Sequence, residues 1–153
     1  MSQQHYLNRS AYDVIIGIDP DVDKSGVALK YKETRGYITN HSLSICELRT
    51  FLESMSQDER KALVIIEASW LNITTNYHYK GVQKSPKVRE YISWCVGRNH
   101  QVGFTIVEFC EELGLDYFLF KPTKTKKTIT YLKKQFGIVA KNQEEVDAVM
   151  MVL

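Results

Sequence analysis

Two short runs of branched apolar residues each end in an acid. Val14-Ile15-Ile16-Gly17-Ile18 leads into Asp19, and Leu63-Val64-Ile65-Ile66 leads into Glu67. Unbroken β-branched runs of this length, closed by turn residues, mark strands buried on both faces. Such strands need cover above and below the sheet, so they constrain the fold more than any other feature here. An acid at the last position of a buried strand is held at the sheet rim by the stiffest backbone in the chain. If the two strands are adjacent and parallel, Asp19 and Glu67 emerge side by side.

The remaining pattern fills in around these runs. Strands are predicted over residues 13–19, 26–31, 37–40, 62–66 and 116–120. Ser44 with Glu47 three positions on forms a capping box for a helix to about residue 55, with Ile45, Leu48 and Leu52 on one face. A long helix is predicted over residues 88–113, broken or kinked near 97–103 where Gly97 and Gly103 fall. Thr123 or Thr125 caps a helix to about residue 135, and Asn142 caps the last one. Early hairpins followed by strand–helix alternation predict an α/β fold with a mixed five-stranded sheet flanked by helices. A single domain over residues 1–153 is expected, with 1–11 a flexible arm and 69–88 a long functional loop.

The acids carry the chemistry. Asp147 lies near the C-terminus with Glu144 three residues before it, on one face of the final helix. Two strand-end carboxylates and an i, i+3 pair are the donor set for two hard divalent cations, which take oxygen ligands. Two such ions about 3.5–4 Å apart activate water and stabilise the leaving oxygen of a phosphodiester. Asp19, Glu67, Glu144 and Asp147 are therefore the expected catalytic and metal-binding residues, with Mg²⁺ the expected ion and Mn²⁺ able to substitute. Asp19 is the expected bridge between the two ions. Glu145 is a neighbour of Glu144 turned about 100° around the helix, and the choice between them stays open.

The formal net charge of +2 says little about nucleic acid, but its distribution says more. Residues 121–141 hold seven lysines and no acid. Lys124, Lys126, Lys127 and Lys133 are either a solvated face or a phosphate-contacting strip. In the 69–88 loop, Trp70, Tyr77 and Tyr79 interleave with Lys80 and Lys84. Aromatics of this kind stack on unpaired bases at about 1–3 kcal/mol each while lysines hold phosphates. Three cysteines at no metal-ligand spacing read as reduced thiols, and neither a signal core nor an apolar stretch of membrane-spanning length is present in the sequence. A cytoplasmic, nucleoid-associated setting is expected, with no membrane partner.

Ile16-Gly17-Ile18-Asp19-Pro20, Gly26, Ile65-Ile66-Glu67 and Asp147-Ala148-Val149 together resemble the RuvC-type Holliday-junction resolvases of the ribonuclease H-like superfamily. The resemblance runs in order from about residue 13 to the C-terminus. It implies a ribonuclease H-like fold, a four-carboxylate two-metal site, a homodimer, and branched DNA, above all four-way junctions, as the substrate. It places Asp19 at the first acidic position, Glu67 at the second, Glu144 where an aspartate is common, and Asp147 at the last. It also implies that Trp70 reaches into the junction, that the helix with Gly97, Gly103 and Ile106 serves dimerisation, and that the lysines after Pro122 contact DNA. Asp21 stands where the family has glycine, Glu144 is one methylene longer than aspartate, and the glycine-rich turn expected after Pro122 is missing. Other readings of the same residues are an RNA-processing or flap nuclease, or a non-catalytic nucleic-acid-binding relative. The apolar surplus on the long helix is core or two-fold interface, and the sequence does not separate the two.

Overall fold

The computed structural model describes residues 8–34, 36–72, 85–123 and 125–153. The strands are β1 (Val14–Asp19), β2 (Ser25–Tyr31), β3 (Ile38–Leu43), β4 (Ala62–Glu67) and β5 (Asp116–Phe120). The helices are α1 (Ile45–Ser56), α2 (Pro86–Leu113), α3 (Ile129–Phe136) and α4 (Gln143–Val152). The strands form one sheet in the order β3-β2-β1-β4-β5. The first three pair antiparallel, while β1 with β4 and β4 with β5 pair parallel. The expected α/β, mixed five-stranded sheet flanked by helices is the observed architecture.

Strand alternation divides the core in two. Ile16, Ile18, Val27, Leu29, Val64 and Ile66 face α1 and α2, which contribute Leu48, Leu52, Ile106 and Cys110. Ile15, Ala28, Leu63 and Ile65 face α4 and α3, which contribute Val146, Val149, Val152 and Leu132. Each large side chain fully buried in this way contributes roughly 1.5–3 kcal/mol. Asp19 and Glu67 continue the odd-numbered series 15, 17, 19 and 63, 65, 67. Both therefore face α4.

Glycine sets how close α4 comes. A Cβ on Gly17 would overlap the Ala148 carbonyl oxygen, and one on Gly26 would overlap the Glu144 carbonyl. With Ala28 between them in register, they form a small-residue floor on which α4 lies backbone to sheet.

Three expectations differ from the structure. The long helix is unbroken over Pro86–Leu113, because a glycine in a helix costs about 1 kcal/mol relative to alanine without ending it. It starts inside the expected 69–88 loop, with Ser85 as N-cap and Pro86 in the first turn, while Ser69–Leu71 form a 3₁₀ turn. The helix after β5 begins at Ile129 with Thr128, not Thr123 or Thr125, as its cap. The Ser44–Glu47 capping box and the Asn142 cap form as expected. Most of the expected N-terminal arm lies outside the described residues, and Arg9–Ala11 make a 3₁₀ turn.

Candidate metal centre

Three elements deliver the carboxylates. Ile18 pairs with Ile66 across the parallel β1–β4 ladder, so Asp19 and Glu67 leave the sheet side by side. The backbone N–H of Ala68 donates to the Phe120 carbonyl at 2.8 Å, extending the β4–β5 ladder past Glu67 and fixing its strand end. The turn after Asp19 is tied down as well: Asn99 of α2 accepts from the Val22 N–H at 3.2 Å and donates to Asp21 at 3.4 Å. α4, seated on Gly17 and Gly26, supplies Asp147 from above. One oxygen from each of Asp19, Glu67 and Asp147 lies within 4.8 Å of the others.

The cluster is short of positive charge. Burial pushes the Asp19 carboxyl well above its ordinary range, and the Glu67 charge adds to this; Lys126 opposes it, with smaller contributions from Asp147 and Glu144 raising it again. Burial likewise raises Glu67, partly offset by Lys126. Carboxylates crowded out of water in this way favour protons or cations. Three convergent carboxylate oxygens, with no nitrogen or sulfur donor among them, fit a hard divalent cation.

Glu144 and Glu145 part company. Glu144 lies at the same end of α4, close enough for its charge to act on Asp19, but its carboxylate is not among the three convergent groups. Glu145 is fully buried on the other side of the helix. Its carboxylate accepts from Asn40 at 2.6 Å, Ser42 at 2.7 Å and the Lys141 N–H at 2.9 Å. Burial alone would raise its pKa, but these donors outweigh burial and hold it below the ordinary range. Holding three donors, two on Oε2 and one on Oε1, it anchors α4 to β3, and it is not among the three convergent carboxylates.

Two residues that sequence reasoning gave no part in the cluster hold Asp147. Gln143, one turn earlier on α4, donates to Asp147 at 2.8 Å and to the Lys127 carbonyl at 2.9 Å. Lys126 pairs directly with the other Asp147 oxygen. Burial opposes the Lys126 charge, but Asp147, Glu67 and Asp19 outweigh it and hold the ammonium above its ordinary value. The i, i+4 spacing of Gln143 and Asp147 was the available signal for the first; nothing local marks the second.

The other expected contacts are dispersed. The Trp70 ring packs on α2 against Phe104, with centroids 4.7 Å apart, and a Cβ on Gly103 would overlap the indole. Gly103 is thus where an aromatic from the β4 end docks on the helix. Lys127 lies 4.6 Å over the Tyr131 ring, and Lys133 is exposed on α3. Tyr77, Tyr79, Lys80, Lys84 and Lys124 lie outside the described residues. Beside the cluster opens a cleft of about 180 Å³ whose lining includes Glu67, Asp147, Thr123, Thr125, Lys126 and Lys127.

No protein-family model matches this chain, and a search of curated proteins finds no match. Among solved structures, Thermus thermophilus RuvC in complex with a Holliday junction substrate superposes with a TM-score of 0.45 at 11% identity, covering 89% of this chain and 88% of that one. A second Thermus thermophilus RuvC structure gives 0.44 at 12% identity, covering 89% of each.

Proposed function

We propose that the protein is a Mg²⁺-dependent, structure-selective endonuclease that resolves branched DNA, four-way junctions above all, by phosphodiester hydrolysis. The observation that carries the reading is the convergence of Asp19, Glu67 and Asp147 from two parallel strand ends and a facing helix. Three desolvated carboxylates without a full set of donors are costly to fold, and such a cost persists where a site needs it. The choice of branched DNA comes from the sequence motifs.

Asp19, Glu67 and Asp147 would hold the ions, with Glu144 at the rim to complete the donor set. Bound there, divalent ions supply Lewis-acid activation of water and stabilise the departing oxygen. The chain's own residues do the positioning. The two strand ends fix Asp19 and Glu67, and Gln143 fixes the rotation of Asp147 through its Oδ1. Misplacement of such a group by about 1 Å can cost about 100-fold in rate. Thr123, Thr125 and Lys127 line the cleft where the phosphate backbone would enter. A homodimer would present two such sites to the two strands of a symmetric junction.

The test is cleavage of a labelled four-way junction, a flap and a structured RNA, with and without Mg²⁺, beside Asp19→Asn. Paired nicks on the junction that need the ion are expected. The variant should fall below about a thousandth of the native rate, a loss of about 4 kcal/mol of transition-state stabilisation. Preferred cutting of RNA or flaps would move the substrate and keep the chemistry. An active Asp19→Asn protein would overturn both.

A further inference from the structure

We propose that Lys126 is a built-in counter-cation: its ammonium sits in the carboxylate cluster until divalent ions arrive and is then released into the adjacent cleft, so that loading the site also arms it for a phosphate. The inference rests on the metal-site reading above and deepens it.

A surface lysine contacting DNA would be solvated and unattached, and an exposed ion pair would contribute little. Lys126 fits neither description. Its partner Asp147 has a side chain only 7% exposed, and Glu67 and Asp19 are close enough for their charges to act on the same ammonium. Crowded carboxylates repel one another and need a cation nearby. A lysine is suited to supply one reversibly, because its charge is a compact point on a flexible four-carbon stem.

The backbone around it is built for such a swing. Lys126 lies between β5 and α3 and itself belongs to neither helix nor strand, so moving its side chain unravels no element. The next residue is pinned: the Lys127 carbonyl accepts from Gln143, and the Lys127 ammonium lies over Tyr131. The Lys126 side chain is half exposed, and Lys126 lines the cleft together with Thr123, Thr125 and Lys127. An ammonium expelled by divalent charge has that cleft to enter, and there it would meet an incoming anion.

Two measurements on the full chain test this. The first is Mn²⁺ binding by titration calorimetry, with the metal alone, for the native protein, Lys126→Met and Lys126→Gln. Without the internal competitor the variants should bind about tenfold tighter, within the usual range of coupled sites. Equal or weaker binding by whichever variant folds would overturn the proposal. The second is acylation of lysines by an amine-reactive ester, read by mass spectrometry with and without Mn²⁺. Lys126 should react several-fold faster with the ion present, and an unchanged or lower reactivity would overturn the release step. A native protein that takes up no Mn²⁺ would instead overturn the metal-site reading itself, an outcome distinct from native binding that Lys126 does not influence.

Discussion

Glu145 and Asp147 stand two residues apart on α4, both buried, in opposite surroundings. Glu145 meets three donors from β3 and the preceding turn, and its pKa is drawn down. Asp147 meets two other acids, one amide and one ammonium, and its neighbours Asp19 and Glu67 are driven up. The first carboxylate is a completed contact, and its charge is an asset to the fold. The second belongs to an incomplete one, where charge is a cost to the fold. One helix thus carries an anchor and a site, and the anchor sets the rotation that aims the site.

The comparison breaks most visibly at the anchor. Glu145→Ala takes away the acceptor shared by the Asn40 amide, the Ser42 hydroxyl and the Lys141 N–H, at a half-buried spot where only the Asn40 amide keeps a second acceptor, the Val139 carbonyl. Each orphaned donor costs about 1–3 kcal/mol, so a loss of about 3 kcal/mol or more in urea unfolding is expected. A loss below about 1 kcal/mol would mean that the anchor is decorative. The sharpening counterpart is Asp19→Asn, which removes a charge the fold resists. The ion-free variant should gain about 1 kcal/mol, or about 2–4 °C in melting temperature at this length, while losing the stabilisation that Mn²⁺ gives the native protein. A variant less stable than the native chain would place Asp19 with Glu145, as a structural acid.

Much of this site was legible before the fold was known, for a physical reason. A strand buried on both faces must be written in branched apolar residues, so β1 and β4 and the acids closing them stood out. The Ser44 box and the Asn142 cap were equally plain, since capping depends on residues within one turn. What stayed hidden depends on distant partners. That Glu145 would be held by Asn40 and Ser42, more than 100 residues away in sequence, could not be read locally. Gly103 looked like a helix breaker because nothing nearby shows the Trp70 ring that covers it. Thr123, Thr125 and Thr128 offer the same local capping chemistry, and packing of Leu132 into the core selects the last. Gly17, Gly26 and Ala28 did carry a readable signal: small residues on one face of paired strands announce a closely docked helix.

The finest expected difference between the two regions is their response to pH. Asp19 and Glu67 have folded-state pKa values above those of the unfolded chain. Between the ordinary carboxylate range and those raised values, the ion-free native state holds protons the unfolded state has shed, so stability falls as pH rises through that window. Glu145 has the opposite sign: its folded value lies below the unfolded one, so its contribution is full above the ordinary range and fades as pH drops through the folded value. Chemical unfolding of the ion-free protein at a series of pH values should therefore show a maximum on the acid side of neutrality. Asp19→Asn should flatten the decline above it, and Glu145→Gln should flatten the rise below it. Saturating Mn²⁺ should reverse the upper slope, because ligands must be deprotonated to bind and protons then compete with the ion. An upper slope identical in the native and Asp19→Asn proteins would show that the cluster ionises freely when empty, and would erase the contrast with Glu145 from which the reading of the site proceeds.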